Sequence, residues 1–126
     1  MTFKPDGYTS VAPYLTVNGA AGTIDFLVRV FDATPLRMIP SSDGRIAHGE
    51  VRIDDTVIMF TDAVEGWPAT HSHVHVYVKD VDRFFERAIA AGASIVKQPV
   101  QEGDTDKRGG FMDDGGTTWW VSTQVE

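Results

Sequence analysis

Two stretches of this chain repeat one plan at a fixed offset, and that repeat restricts the accessible folds more than any other feature. Over residues 11–17, Leu15 and Val17 occupy one parity and Tyr14 and Thr16 the other, the alternation of a half-buried strand. Residues 72–78 alternate strictly, Val74, Val76 and Val78 against His73, His75 and Tyr77. Each strand leads into a helical stripe. Ile24, Leu27, Val28 and Phe31 form the first, spaced i, i+3, i+4, i+7. Val81, Phe84, Phe85, Ala88 and Ile89 form the second, with Asp82, Arg83, Glu86 and Arg87 outside it. Val17 and Val78, the last apolar residues before each helix, lie 61 positions apart. Identity between the halves is low, so the order of elements and the apolar spacing carry the repeat.

The remainder of each half fits the same plan. Asn18 is expected to start the first helix and Asp80 to cap the second, with Gly92 in the left-handed position past its end. Phe26 and Val30 form a second apolar pair on the first helix, expected to cover another surface such as a subunit contact. Residues 36–39 read as a short strand ended by Pro40, and Asp43-Gly44 as a hairpin turn. Strands follow over 46–53 and 56–62, joined at Asp54-Asp55, and then a loop over 63–70. In the second half, residues 94–97 read as a short strand stopped by Pro99 and 101–110 as a polar loop. Residues 111–113 and 117–123 read as a hairpin. A half that cannot bury its own sheet must pack against its copy. The expectation is an α+β fold of two βαβββ modules, with curved mixed sheets forming a concave cup and helices on the convex face. Module one spans about 11–62 and module two about 72–123, within a single domain over 1–126.

At 126 residues the chain suits one core. It has no cysteine, which excludes disulfides, thiol nucleophiles and cysteine-ligated zinc. Eighteen acidic against eleven basic residues give a net charge of -7, so phosphate backbones and anionic membranes make poor partners. No segment reaches the roughly eighteen apolar residues of a membrane span, and Met1 to Gly7 lacks the plan of a signal peptide. A cytoplasmic protein is expected.

Alternation assigns Tyr14, Thr16, Met59, Thr61, His73, His75, Tyr77, Trp120 and Ser122 to the cup, a mixture of apolar wall and orienting polar groups suited to a small molecule. Trp119 and Trp120 are adjacent and so face opposite ways, one into core. Trp67 reads as a lid or as an exposed or dimer-buried side chain. Arg108 reads as a clamp for an anionic group, or as a turn residue paired with Asp104 or Asp106.

Pro13-Tyr14-Leu15-Thr16-Val17, the run from Ile46 to Ile53, the run from His75 to Asp82, and Arg108-Gly109-Gly110 with Asp113 to Gly116 and Trp119 to Thr123 stand in an order that resembles a known family. The chain resembles the vicinal oxygen chelate superfamily (glyoxalase, bleomycin-resistance and extradiol dioxygenase relatives), and within it the PhnB-like branch. The resemblance implies paired βαβββ modules and a homodimer. It also implies, for the metal enzymes of the superfamily, four ligands on the first and last strands of each module, which fall here on Ala12, Met59, His73 and Trp120. Of these only His73 is a good ligand for a divalent metal. The expectation is therefore a small-molecule binding protein that needs no metal, with no cofactor assigned. Bleomycin-resistance relatives, by resemblance, hold a cationic drug in an acidic, aromatic groove. Ligand contacts are expected from His73, His75, Tyr77, Met59, Trp120, His48, Tyr14 and Arg108. The alternative is a metal-dependent lyase, isomerase or dioxygenase on a rearranged site of His48, Glu50, His73 and His75. A third reading is a dimer whose cup is filled by its own side chains.

Overall fold

A computed structural model describes residues 2–126, so Met1 lies outside it. The order strand, helix and three strands occurs twice. In the first half these are β1 (Tyr14–Val17), α1 (Ala20–Phe31), β2 (Thr34–Pro40), β3 (Ile46–Ile53) and β4 (Thr56–Asp62). In the second they are β5 (Ser72–Tyr77), α2 (Val81–Ala90), β6 (Ser94–Gln101), β7 (Asp106–Met112) and β8 (Thr117–Gln124). Each half makes a four-stranded mixed sheet, ordered β1-β4-β3-β2 in one and β5-β8-β7-β6 in the other. In each sheet the first strand pairs parallel to the last, Tyr14 beside Met59 and His75 beside Trp120, and the remaining pairings are antiparallel.

The sides of the sheets that carry Leu15, Val17, Val51, Phe60, Phe111, Trp119 and Val121 share one core with both helices. Phe31 of α1 links the halves, its ring 6.0 Å from Phe84, 6.1 Å from Phe111 and 5.8 Å from Trp119. The opposite parity, which carries the expected cup residues, therefore faces away from the helices.

The repeat extends to how the helices are started. Asp62, at the end of β4, accepts from the Ala20 amide at 2.7 Å. Thr123, at the matching place on β8, accepts from the Val81 amide at 2.9 Å. Asn18 is not the cap: the N-cap of α1 is Gly19, at φ 75° with no side-chain cap of its own, and the sheet supplies the acceptor through Asp62. Asp80 does cap α2, accepting from the Arg83 amide, and Gly92 takes φ 98° beyond that helix.

Four further sequence expectations change. Phe26 and Val30 are buried within the chain, Phe26 with its ring 6.0 Å from that of Phe111, so they do not form a subunit surface. The first strand is shorter than expected, beginning at Tyr14. The strands around the prolines are longer than expected: β2 includes Pro35 and Pro40, and β6 runs through Pro99. Both are edge strands with register shifts, where a missing amide costs no ladder bond. The expected loop over 101–110 is largely β7, with Asp106, Arg108, Gly110 and Met112 on one parity and the buried Phe111 on the other.

Candidate functional site

Two rows of side chains cross the outward sheet faces at equivalent places. In the first sheet Tyr14, Met59 and Glu50 stand side by side. In the second the row is His75, Trp120 and Gly110. Glycine is required in the second row: a Cβ on Gly110 would stand 2.7 Å from two ring carbons of Trp120. The indole thus lies flat on the sheet.

Held there, Trp120 donates its Nε1–H to Nδ1 of His73 at 3.0 Å. The two rings are inclined by only 14°. An indole N–H lies in its ring plane, so the pair forms one broad aromatic plate, and the His71 ring stands 5.4 Å from that of His73. Nε2 of His75 is 2.8 Å from the Ser122 hydroxyl, which also accepts from Nε of Arg108 at 3.0 Å. Burial and the Arg108 charge, opposed by Asp106, hold the His75 imidazole below its ordinary pKa. Arg108 forms ion pairs with Asp104 and Asp106. The Tyr77 hydroxyl donates to Asp106 at 2.7 Å, and that bond raises the tyrosine's pKa. Arg108 is thus engaged by neighbouring acids, as the plainer sequence reading has it.

The first sheet's face carries a buried carboxylate. Glu50 is 1% exposed. It accepts from the Tyr8 hydroxyl at 2.5 Å and lies 2.7 Å from Nε2 of His48. Burial pushes the Glu50 carboxyl up, but the bonds from Tyr8 and His48 outweigh it and leave the pKa below the usual value. The segment bearing Tyr8 is tied down by Arg52 donating to the Gly7 carbonyl and by Thr9 accepting from the Val57 amide. Tyr14 is 56% exposed, its ring 5.7 Å from that of His48. Trp67 donates to the Thr16 hydroxyl at 3.1 Å while 62% of it stays exposed.

His48 and Glu50 meet on one face, and His73, His75, Tyr77, Trp120 and Arg108 gather on the other. Among the described residues no three His, Asp or Glu side chains converge to hold a metal ion. The donor set at the family's ligand positions does not fit one either. Ala12 offers no ligand atom, Met59 a soft thioether and Trp120 only a donor. Three clefts joining the halves, of about 380, 360 and 520 Å³, run along the helix side and the β3–β4 turn, and none includes Met59 or Trp120. Sequence reasoning missed Tyr8, and it gave Gly110 no part in seating Trp120. No local signal marks Tyr8.

Paired four-stranded sheets, each with one helix on its inner side and an aromatic outer face, define the architecture of one α+β family. The chain belongs to the Glyoxalase/Bleomycin resistance protein/Dioxygenase superfamily, whose model matches residues 7–121. It is 34% identical over 130 residues to an uncharacterized protein, Rv0887c, of Mycobacterium tuberculosis, covering 92% of this chain and 75% of that protein. Among solved structures it is similar to TioX from Micromonospora sp. ML1, with 26% identity, coverage of 92% and 98% of the two chains, and a TM-score of 0.78. TnmS3, an antibiotic binding protein from Streptomyces sp. CB03234, shares the fold with 18% identity, coverage of 93% and 99%, and a TM-score of 0.70. No helix among the described residues is long and apolar enough to cross a membrane.

Proposed function

We propose that this protein captures a small molecule without a metal, as a cytoplasmic homodimer of the PhnB-like branch. One observation carries the reading: the bond from Trp120 to His73. A neutral imidazole has a single free lone pair, and an indole N–H can only donate. With Nδ1 accepting from Trp120, the remaining proton sits on Nε2 and no lone pair is left for a cation. The one good ligand among the four family positions is silenced by the residue at another of them.

The cup is completed by a second copy. The outer faces point away from the shared core, and β1 and β5, equivalent in the repeat, are both sheet edges. Pairing β1 of one chain with β5 of its partner sets the Met59 face against the Trp120 face and encloses a cavity at each end of the dimer.

Elemental analysis of protein purified without chelator, sedimentation, and tryptophan-fluorescence titration over a panel of small molecules test this together. Less than stoichiometric metal, a dimer, and saturable quenching are expected. Stoichiometric metal lost on His73→Ala sinks the reading in favour of an enzyme on His48, Glu50, His73 and His75. A monomer, or no quenching by any compound, sinks the shared cup.

A further inference from the structure

The bonds behind the second sheet's outer face also fix what that face offers a ligand. Trp120 donates to Nδ1 of His73, so the N–H of that ring is at Nε2, which has no partner among the described residues. Ser122 fixes His75 in the opposite sense. The serine is fully buried, and its hydroxyl oxygen meets only Nε of Arg108 and Nε2 of His75. The arginine can only donate, so it occupies a lone pair of Ser122. The buried hydroxyl proton then has one acceptor within reach, Nε2 of His75, and leaving it unpaired would carry the penalty of a buried orphan donor. His75 is therefore protonated at Nδ1, which likewise has no protein partner among the described residues.

Two imidazoles at i and i+2, roughly 6.5 to 7 Å apart at the Cα, thus each present a free N–H on the side that carries the flat Trp120 plate. Asp106, the carboxylate beside them, is already engaged by Tyr77 and Arg108. We propose that the ligand is a planar conjugated molecule bearing carbonyl-type acceptor oxygens, neutral or anionic, stacked on the His73–Trp120 plate and hydrogen-bonded by His73 Nε2–H and His75 Nδ1–H. This rests on the capture reading above and narrows it, since a wall of donors beside a guanidinium disfavours the cationic ligand that the family resemblance suggests.

The test is calorimetric, on the full-length protein, with three flat probes. Fluorenone carries a ring carbonyl, fluorene has a methylene in its place and no acceptor oxygen, and proflavine is a planar cation. The carbonyl probe is expected to bind tighter than its carbonyl-free partner by about five-fold, the scale of one neutral hydrogen bond. His73→Phe and His75→Phe, which keep a ring and remove the donor, should narrow that ratio. Equal binding of the matched pair, or tighter binding of proflavine, overturns the inference. Long-range proton–nitrogen spectra of the free protein provide a check that needs no ligand. A His73 proton on Nδ1 or a His75 proton on Nε2 overturns the donor assignment while leaving capture intact. Failure of all three probes to bind overturns this ligand class; it is the wider panel, not these three, that decides capture itself.

Discussion

Gly110 makes room for Trp120. A methyl group at position 110 would lie 2.7 Å from Cε3 and Cζ3 of the indole, closer than carbon atoms approach without displacement. The rigid ring cannot bend aside, so Gly110→Ala should tilt it and break its bond to Nδ1 of His73. The expected result is a folded protein, destabilised by about 1–3 kcal/mol as in other overpacked sites, with tryptophan emission shifted to the red and weakened ligand binding. Chemical denaturation and fluorescence read all three. An unchanged spectrum and unchanged binding would mean that the indole does not need the glycine.

Tyr8 and Glu50 provide a pH-dependent test. The Glu50 carboxyl is held below its unfolded value, so its ionised form stabilises the fold above the carboxylate range. That contribution is lost as pH falls through the depressed value. Tyr8→Phe removes one of the two bonds that lower it. The variant should lose about 1.5–3 kcal/mol near neutrality, the scale of a hydrogen bond to a charged group. The loss should shrink on acidification, once Glu50 is protonated in both proteins. Urea unfolding at neutral and acid pH measures it, and a difference independent of pH would assign the effect to packing of the tyrosine ring.

The parts of the fold that were legible in sequence are those with a local period. The strict alternation of β5 and the apolar stripe of α2 need no knowledge of distant contacts, and the offset of 61 positions relates Met59 to Trp120 directly. β7 was hidden because Gly109 and Gly110 read as turn residues beside a charged run, although each glycine faces a crowded neighbour: Pro99 and Lys97 for one, Trp120 for the other. The cap of α1 lay out of reach for a different reason. Asp62 acts 42 positions away from Ala20, and Asn18 was the better local candidate. The Tyr8–Glu50 bond also spans 42 positions. Strand parity brought Trp120 and His73 to one face, but only register across 47 positions turns that proximity into a donated hydrogen bond and a fixed tautomer.

His75 should titrate below an unperturbed histidine. Burial is the main cause and the Arg108 charge the next, with Asp106 opposing. Because the folded-state value is depressed, the neutral imidazole contributes stability that is complete above the unfolded value near 6.5. It is lost as pH falls through the lower folded value. Arg108→Gln removes the second cause and should move the His75 midpoint upward, leaving part of the depression in place because burial remains. Proton NMR titration of the imidazole signals follows this directly. A midpoint that stays put in the variant would show that the guanidinium charge is cancelled by Asp104 and Asp106.

Asp113 holds the β7–β8 turn from inside. It is 5% exposed. One carboxylate oxygen accepts from the Gly115 and Thr117 amides at 2.9 and 3.1 Å, and the other from the Trp119 indole at 2.8 Å. Trp119 is fully buried and touches Phe31, the residue that joins the two halves. Asp113→Ala strands three donors at once, and each buried orphan costs about 1–3 kcal/mol unless water reaches it. A destabilisation of about 3 kcal/mol or more is expected, larger than for an exposed turn aspartate such as Asp114. Asp113→Asn should restore part of it, because one amide oxygen can still serve the turn amides while its NH2 group confronts the indole N–H. Equilibrium unfolding of the three proteins decides it: an asparagine variant as weak as the alanine one would assign the effect to the carboxylate charge rather than to donor satisfaction.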